Sequence, residues 1–168
     1  MTKLSIIIPI YNEKKTISKV IQRVKNVKIN NVSREIIIVD DFSTDNTGNI
    51  LRSIRDKSIK VFYHKKNLGK GAAIRTGLSM ATGDIVLIQD ADLEYSPKEY
   101  PKLLKPLLEN KADVVYGSRA EAIRRNIKSV YKLHYIGNVF LTFMTNLLFG
   151  VFFLIFALFF FYLLKSNF

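Results

Sequence analysis

Short runs of apolar and β-branched residues recur along the first 118 positions: Leu4 to Pro9, Glu35 to Asp40, Ile59 to His64, Ile85 to Gln89 and Asp113 to Tyr116. Runs of this length without polar alternation predict strands buried on both faces. Between them the period changes. Ile17, Val20, Ile21 and Val24 recur at i, i+3, i+4 and i+7, Ile50, Leu51 and Ile54 repeat the pattern, and Leu103, Leu104, Leu107 and Leu108 form a third stripe, the signature of helices with one apolar face. Ala72, Ala73 and Ile74 follow a glycine-containing turn and predict a further helix. Ser96-Pro97-Lys98-Glu99 combines a capping box with Pro at the first helical position, so another helix is expected to start there, with a kink at Pro106. Strands alternating with helices predict an α/β fold: a mostly parallel sheet with helices on both faces, which binds ligands at the carboxyl ends of its strands.

The pattern breaks once. Residues 1–134 carry 25 of the 26 basic and all 14 acidic side chains, whereas Tyr135 to Leu164 has no charge. Two regions are therefore expected, a catalytic or binding domain over 1–134 and an apolar tail over 135–168. Within the tail, Leu147 to Leu164 is long enough to predict a membrane-spanning or interfacial helix. At 168 residues and 48% apolar composition the chain has the size of one domain with an ordinary core. The formal charge of +12 predicts an anionic partner: a nucleotide, a phospholipid surface or a nucleic acid. Without cysteine there is no disulfide framework, thiolate zinc site or cysteine nucleophile, and two histidines, His64 and His134, are too few for a histidine-rich metal site. A metal would have to sit on carboxylates. Met1 to Ile8 lacks the small-residue cleavage site of a secretory signal and reads as the first core strand of a cytoplasmic domain.

Four polar clusters follow predicted strand ends: Pro9-Ile10-Tyr11-Asn12-Glu13, Asp40-Asp41-Phe42-Ser43, Asn67-Leu68-Gly69-Lys70-Gly71 and Asp90-Ala91-Asp92-Leu93-Glu94. Asp90 and Asp92, two apart at a strand end, can turn toward one Mg²⁺ or Mn²⁺, which prefer oxygen ligands; a solvated turn with a helix cap is the competing reading. Asn67 to Gly71 opens a helix with Lys70 inside the turn, an arrangement that suits a diphosphate, or it is an ordinary strand-to-helix turn. It lacks the spacing of a P-loop. Ser43 and Asp45 read as caps of the next helix, and Tyr11 and Glu13 as a turn and a first-turn acid, if taken alone. His64 reads as structural or solvated, and no Gly-x-Ser-x-Gly elbow supports a hydrolase triad. Arg119 is the first of five basic residues, with Arg124, Arg125, Lys128 and Lys132, ahead of the uncharged tail. They form either a phosphate or headgroup site or the positive flank of a membrane helix.

Together the clusters resemble the family 2 glycosyltransferases of GT-A fold, most closely the dolichyl-phosphate mannose synthase-like branch. The matching stretches are Ser5-Ile-Ile-Ile-Pro-Ile-Tyr-Asn-Glu13, Ile37-Ile-Val-Asp-Asp-Phe-Ser-Thr-Asp45, Asn67-Leu-Gly-Lys-Gly-Ala-Ala-Ile-Arg-Thr-Gly77, Asp90-Ala-Asp-Leu-Glu94, Gly117-Ser-Arg119 and His134-Tyr-Ile-Gly-Asn138. The resemblance implies transfer of a sugar from a GDP- or UDP-linked donor, with inversion and with Mg²⁺ or Mn²⁺, to a polyprenyl phosphate at the cytoplasmic face of a membrane. It implies that Pro9, Tyr11, Glu13 and Asp41 hold the nucleoside and that Lys70 lies near the donor. Asp90, Asp92 and Glu94 would bind the metal, and Arg119 would face the reacting phosphate. Where the family continues into a Thr-Asp motif, this chain runs from Asn146-Leu-Leu-Phe-Gly150 into a Phe-rich stretch. T-rich codons read out of frame give such a composition, and a membrane anchor is the competing account.

Three readings from other classes compete with this one. A truncated or inactive membrane-tethered nucleotide-sugar-binding module would keep the donor contacts without turnover. A nucleic-acid binder is disfavoured because the charge is spread through the chain and no recognised motif appears. A nucleotidyltransferase would carry a glycine-rich opening after the first strand, and none is present.

Overall fold

The computed structural model describes residues 1–93, 95–117 and 162–165. All but Tyr116 and Gly117 belong to one unit of the chain, Met1–Val115 with Phe161–Phe168. Strands β1 (Thr2–Ile10), β2 (Val32–Asp40), β3 (Ile59–Tyr63), β4 (Ile85–Ile88), β5 (Val114–Tyr116) and β6 (Tyr162–Lys165) form one sheet in the order β3-β2-β1-β4-β6-β5. The pairs β1/β2, β1/β4 and β2/β3 are parallel. Helices α1 (Ile17–Asn26), α2 (Thr47–Arg52), α3 (Lys70–Met80) and α4 (Tyr100–Leu108) connect them.

The apolar runs behave as two-faced strands. Leu4, Ile6, Ile8 and Ile10 of β1, with Ile36 and Ile38 of β2, join a core built with Ile17, Val20, Ile21 and Val24 of α1, Leu51 of α2 and Leu103, Leu104 and Leu107 of α4. The alternate residues Ile7, Ile37 and Val39 face the other way, against Ala73 of α3. Each such isoleucine, removed from water on a two-sided sheet, contributes about 1.5–3 kcal/mol. Helix α3 lies close to β1 because Gly77 has no side chain: a Cβ there would come within 2.4 Å of Ile7 Cγ2. At the C-terminus of α1, Arg34 donates from Nη1 to the carbonyls of Val24 (3.1 Å) and Val27 (2.7 Å) and from Nη2 to Lys25 (2.7 Å), satisfying acceptors the helix leaves open.

Four expectations need correction. First, Tyr162–Lys165 lies not in a helix but in β6, antiparallel to β4 through Ile85↔Lys165, Val86↔Leu164 and Leu87↔Leu163. A continuous apolar run does not distinguish a helix from a strand, and pairing to β4 decides for the strand here. Positions 147–161, the rest of the predicted tail helix, lie outside the described residues. Among the described residues no helix is long and apolar enough to cross a membrane. Second, α2 ends at Arg52, before Ile54. Ser53 donates its N–H to the carbonyls of Asn49 and Ile50 and its hydroxyl to Ile50, closing the last turn. Third, Ser96 makes no side-chain cap; a 3-10 turn over Pro97–Glu99 precedes α4. Fourth, the buried stripe of α4 is Tyr100, Leu103, Leu104 and Leu107, while Leu108 is exposed. The 3.6 period reaches back to Tyr100 rather than on to Leu108.

The chain leaves β1 toward β2 and β3 and returns on its other side with β4. The topological switch point is therefore between β1 and β4, where sheets of this kind open a crevice beyond the strand ends.

Candidate active site

The crevice is an open cleft of about 200 Å³ lined by Pro9, Tyr11 and Glu13 after β1, Asp41 after β2, Lys70 and Ala73 of α3, and Asp90 and Asp92 after β4. Every candidate site residue that is described thus comes to one place. Glu94 and Arg119 lie outside the described residues.

Cross-bonding between loops shapes one wall. Asn12, with φ 57°, donates its N–H to Ser43 Oγ at 2.9 Å, and its Oδ1 accepts from the N–H groups of Thr44 (2.8 Å) and Asp45 (3.3 Å). Ser43 donates both its N–H (3.0 Å) and its hydroxyl to Asp40 Oδ1. Ser43 is therefore a staple between the β1 and β2 loops and not the helix cap its position suggested. Asp45 Oδ1 does accept from Thr47, the first residue of α2 (2.9 Å). Glu13 accepts the Thr16 hydroxyl on Oε2, and its carbonyl takes the N–H groups of Thr16 and Ile17 (3.1 and 3.0 Å), so it opens α1. Phe42 and Leu93, after β2 and β4, have φ 65°. For residues with a Cβ this left-handed backbone costs about 1–2 kcal/mol each, and such strain gathers at binding sites. No residue-type signal announced it, because neither position is Gly, Asn or Asp.

Asp41 is buried, 3% exposed. Its Oδ1 accepts the Leu68 N–H at 2.9 Å and faces His64 Nδ1 at 2.7 Å; its Oδ2 accepts the Gly69 N–H at 2.7 Å. Burial pushes its pKa up, but the Leu68, His64 and Gly69 donors outweigh burial and hold it below the ordinary carboxylate value. An ionised carboxylate only accepts, so His64 Nδ1 carries a proton. The other ring nitrogen, Nε2, sits 2.9 Å from Thr76 Oγ1 of α3. His64 is thus an internal member of this network.

Asp90 is positioned from below. Gln89, fully buried, donates its N–H to the Ile7 carbonyl (2.9 Å) and its side-chain amide to the Asp90 carbonyl (2.8 Å), while its Oε1 accepts the buried Tyr100 hydroxyl (2.6 Å). Sequence reading missed Gln89 and Tyr100; a polar residue ending an otherwise apolar strand was the available signal. The Asp90 side chain faces Lys70 Nζ at 2.6 Å across the cleft. With Lys70 half-exposed, such a pair is worth at most about 1 kcal/mol. Among the described residues no three carboxylates or histidines are grouped closely enough to hold an ion. Asp90 already fronts a cation, and it and the exposed Asp92 both offer hard oxygen ligands, so the donor set suits Mg²⁺ or Mn²⁺.

The model of the family "Glycosyl transferase family 2" matches residues 5–168. The chain belongs to this glycosyl transferase family. Similar family 2 proteins include a dolichol-phosphate mannosyltransferase of Pyrococcus furiosus, 35% identical over 118 residues that cover 70% of this chain and 33% of the relative. A UDP-N-acetylglucosamine–dolichyl-phosphate N-acetylglucosaminyltransferase of Methanococcus voltae is 32% identical over 86% of this chain and 62% of its own length. The chain therefore spans about a third of the first relative and under two thirds of the second. Among solved structures, the mannosyltransferase PcManGT of Pyrobaculum calidifontis, in complex with GDP-Man and Mn²⁺, superposes with a TM-score of 0.60 at 27% identity, covering 67% of this chain and 34% of that one. S. aureus TarS 1-349 in complex with UDP gives 0.59 at 30% identity, with 67% and 34% covered. The likeness establishes the GT-A-like α/β architecture.

Proposed function

We propose that this chain is the donor-binding part of a glycosyltransferase that moves a sugar from a nucleoside diphosphate to a polyprenyl phosphate on the cytoplasmic side of a membrane. The observation that carries the reading is the convergence of Asp41, Lys70, Asp90 and Asp92 on one cleft at the switch point of the sheet. The names of the family relatives supply the acceptor class. Pro9, Tyr11, Glu13 and Asp41 take the nucleoside: a buried carboxylate that only accepts suits the N–H edge of guanine or uracil. Lys70, at the N-terminus of α3, meets the diphosphate, where ammonium and open helix N–H groups both favour negative charge.

Transfer with inversion forms one bond, from the acceptor phosphate oxygen to the anomeric carbon, and breaks one, from that carbon to the diphosphate. A phosphate acceptor is already anionic near pH 7, so no general base is required. The principal demand is charge growing on the leaving diphosphate, which Lys70 is placed to stabilise. Asp90 and Asp92, with Glu94, would hold a Mg²⁺ or Mn²⁺ that adds further stabilisation of that charge. Arg119 would face the reacting phosphate. Titration calorimetry with GDP, UDP, ADP and CDP in the presence of Mn²⁺ tests the donor site. Tighter binding of GDP or UDP is expected, and preference for ADP would remove the nucleoside assignment.

A further inference from the structure

The Asp41 carboxylate has about four acceptor positions, and its own chain occupies three: Leu68 N–H and His64 on Oδ1, Gly69 N–H on Oδ2. The remaining position is on Oδ2, and Asp41 lines the cleft. Turning the carboxylate about its terminal bond would break the His64 and Leu68 bonds together. The imidazole itself cannot turn, because its second nitrogen is held by Thr76 of α3 and its side chain is only 9% exposed. We infer that His64 is a positioning residue for the nucleoside end of the cleft: held by Thr76, it locks Asp41 Oδ1 so that Oδ2 alone is presented to the ligand. This inference rests on the reading that Asp41 meets the nucleoside.

The two ring nitrogens can be separated by substitution, since the amide nitrogen of Asn falls near Nδ1 of His and that of Gln near Nε2. His64→Asn keeps a donor for Asp41 and loses Thr76. His64→Gln keeps a group for Thr76 and loses Asp41, and His64→Phe fills the space and loses both. Calorimetry on the full chain with Mn²⁺ would compare the better-bound of GDP and UDP with inorganic pyrophosphate, on variants whose melting curves show them folded. His64→Gln and His64→Phe are expected to weaken the nucleotide about tenfold, the effect of losing a hydrogen bond to a charged group. His64→Asn should stay within about threefold, and pyrophosphate affinity should not change in any variant. A merely structural histidine would lower the melting temperature in all three without this split, and nucleotide affinity unchanged in the Gln variant would overturn the inference. If His64→Phe does not fold, the Asn and Gln pair decides alone. Asp41→Asn, run in parallel, separates the two claims. Loss there with intact Gln binding sinks only the role of His64, whereas unchanged affinity in Asp41→Asn sinks the nucleoside reading and this inference with it.

Discussion

Glu35 begins the buried part of β2 and Asp41 follows its last residue, so one strand carries a buried carboxylate near each end. At Glu35 every acceptor position is used. Oε1 accepts the Ser5 hydroxyl (2.7 Å) and the N–H and hydroxyl of Thr82 (2.8 Å each); Oε2 faces the ammonium groups of Lys60 (2.9 Å) and Lys3 (3.3 Å). These donors tie β1, β2, β3 and the turn before β4 into one closed knot. At Asp41, which lines the cleft, the chain supplies fewer donors than the carboxylate can accept. Burial and a lowered pKa are common to both groups. What separates scaffold from site is whether the protein saturates the acceptor itself.

The contrast breaks most visibly at the closed end. Glu35→Ala should cost about 3 kcal/mol in urea unfolding, because it strips partners from Ser5, Thr82 and two lysines. Donor affinity of the folded variant should stay at the parent value; a large loss of affinity would mean that the two ends are not independent. The same acid governs stability at low pH. Burial raises the Glu35 pKa, but Ser5, Lys60 and Thr82 outweigh it and bring it from 4.5 to about 2. Its contribution is complete above about pH 4.5 and is lost as the pH falls toward 2. Over that window the parent should lose on the order of 3 kcal/mol more than Glu35→Gln, with their urea midpoints converging near pH 2.

A smaller effect is expected at Gly83, where a Cβ would lie 2.7 Å from the Lys3 carbonyl oxygen and from Ser5 Oγ. Gly83→Ala should cost about 2 kcal/mol by overpacking the closed end, read as a lower melting temperature with unchanged nucleotide affinity. The last substitution, Asp92→Asn, is at an exposed position and leaves the apolar core untouched. Yet calorimetry should find Mn²⁺-dependent binding of the nucleoside diphosphate abolished, since an amide is a poorer ligand than a carboxylate for a hard cation. Unchanged affinity would remove Asp92 from the metal assignment.

The open end was far more legible in the sequence than the closed one. Strands β1, β2 and β4 are apolar runs, and polar residues at the strand ends must follow such runs, so the cleft-lining Tyr11, Asp41, Asp90 and Asp92 could be placed by position along the chain. Glu35 drew no attention because its partners lie 30 positions back, at Ser5, and 47 ahead, at Thr82, and no periodicity connects them. The same holds for Tyr100, whose hydroxyl supports Asp90 through Gln89, and for His64, whose role depends on Asp41 and Thr76. Chain-distant polar pairing leaves no local pattern. The described end of the tail differed for another reason: apolarity alone does not choose between helix and strand, and Tyr162–Lys165 pairs as a strand beside β4.

The position of β1 between β2 and β4 also sets an order of assembly. In an emerging chain Thr2 waits 30 positions for Val32, but Leu4 waits 81 for Ile85. At translation speeds of about 5–20 residues per second, that second edge of β1 stays unpaired for roughly 4 to 16 s. Throughout this interval an apolar strand offers its N–H and carbonyl groups to any neighbouring nascent chain. The Asp41 side of the cleft can be in place while the Asp90 side is still being synthesised. A site placed at the switch point is therefore complete only after β4 has emerged, later than the β1–β2 pair that forms its first wall, and the second edge of β1 stays open until then.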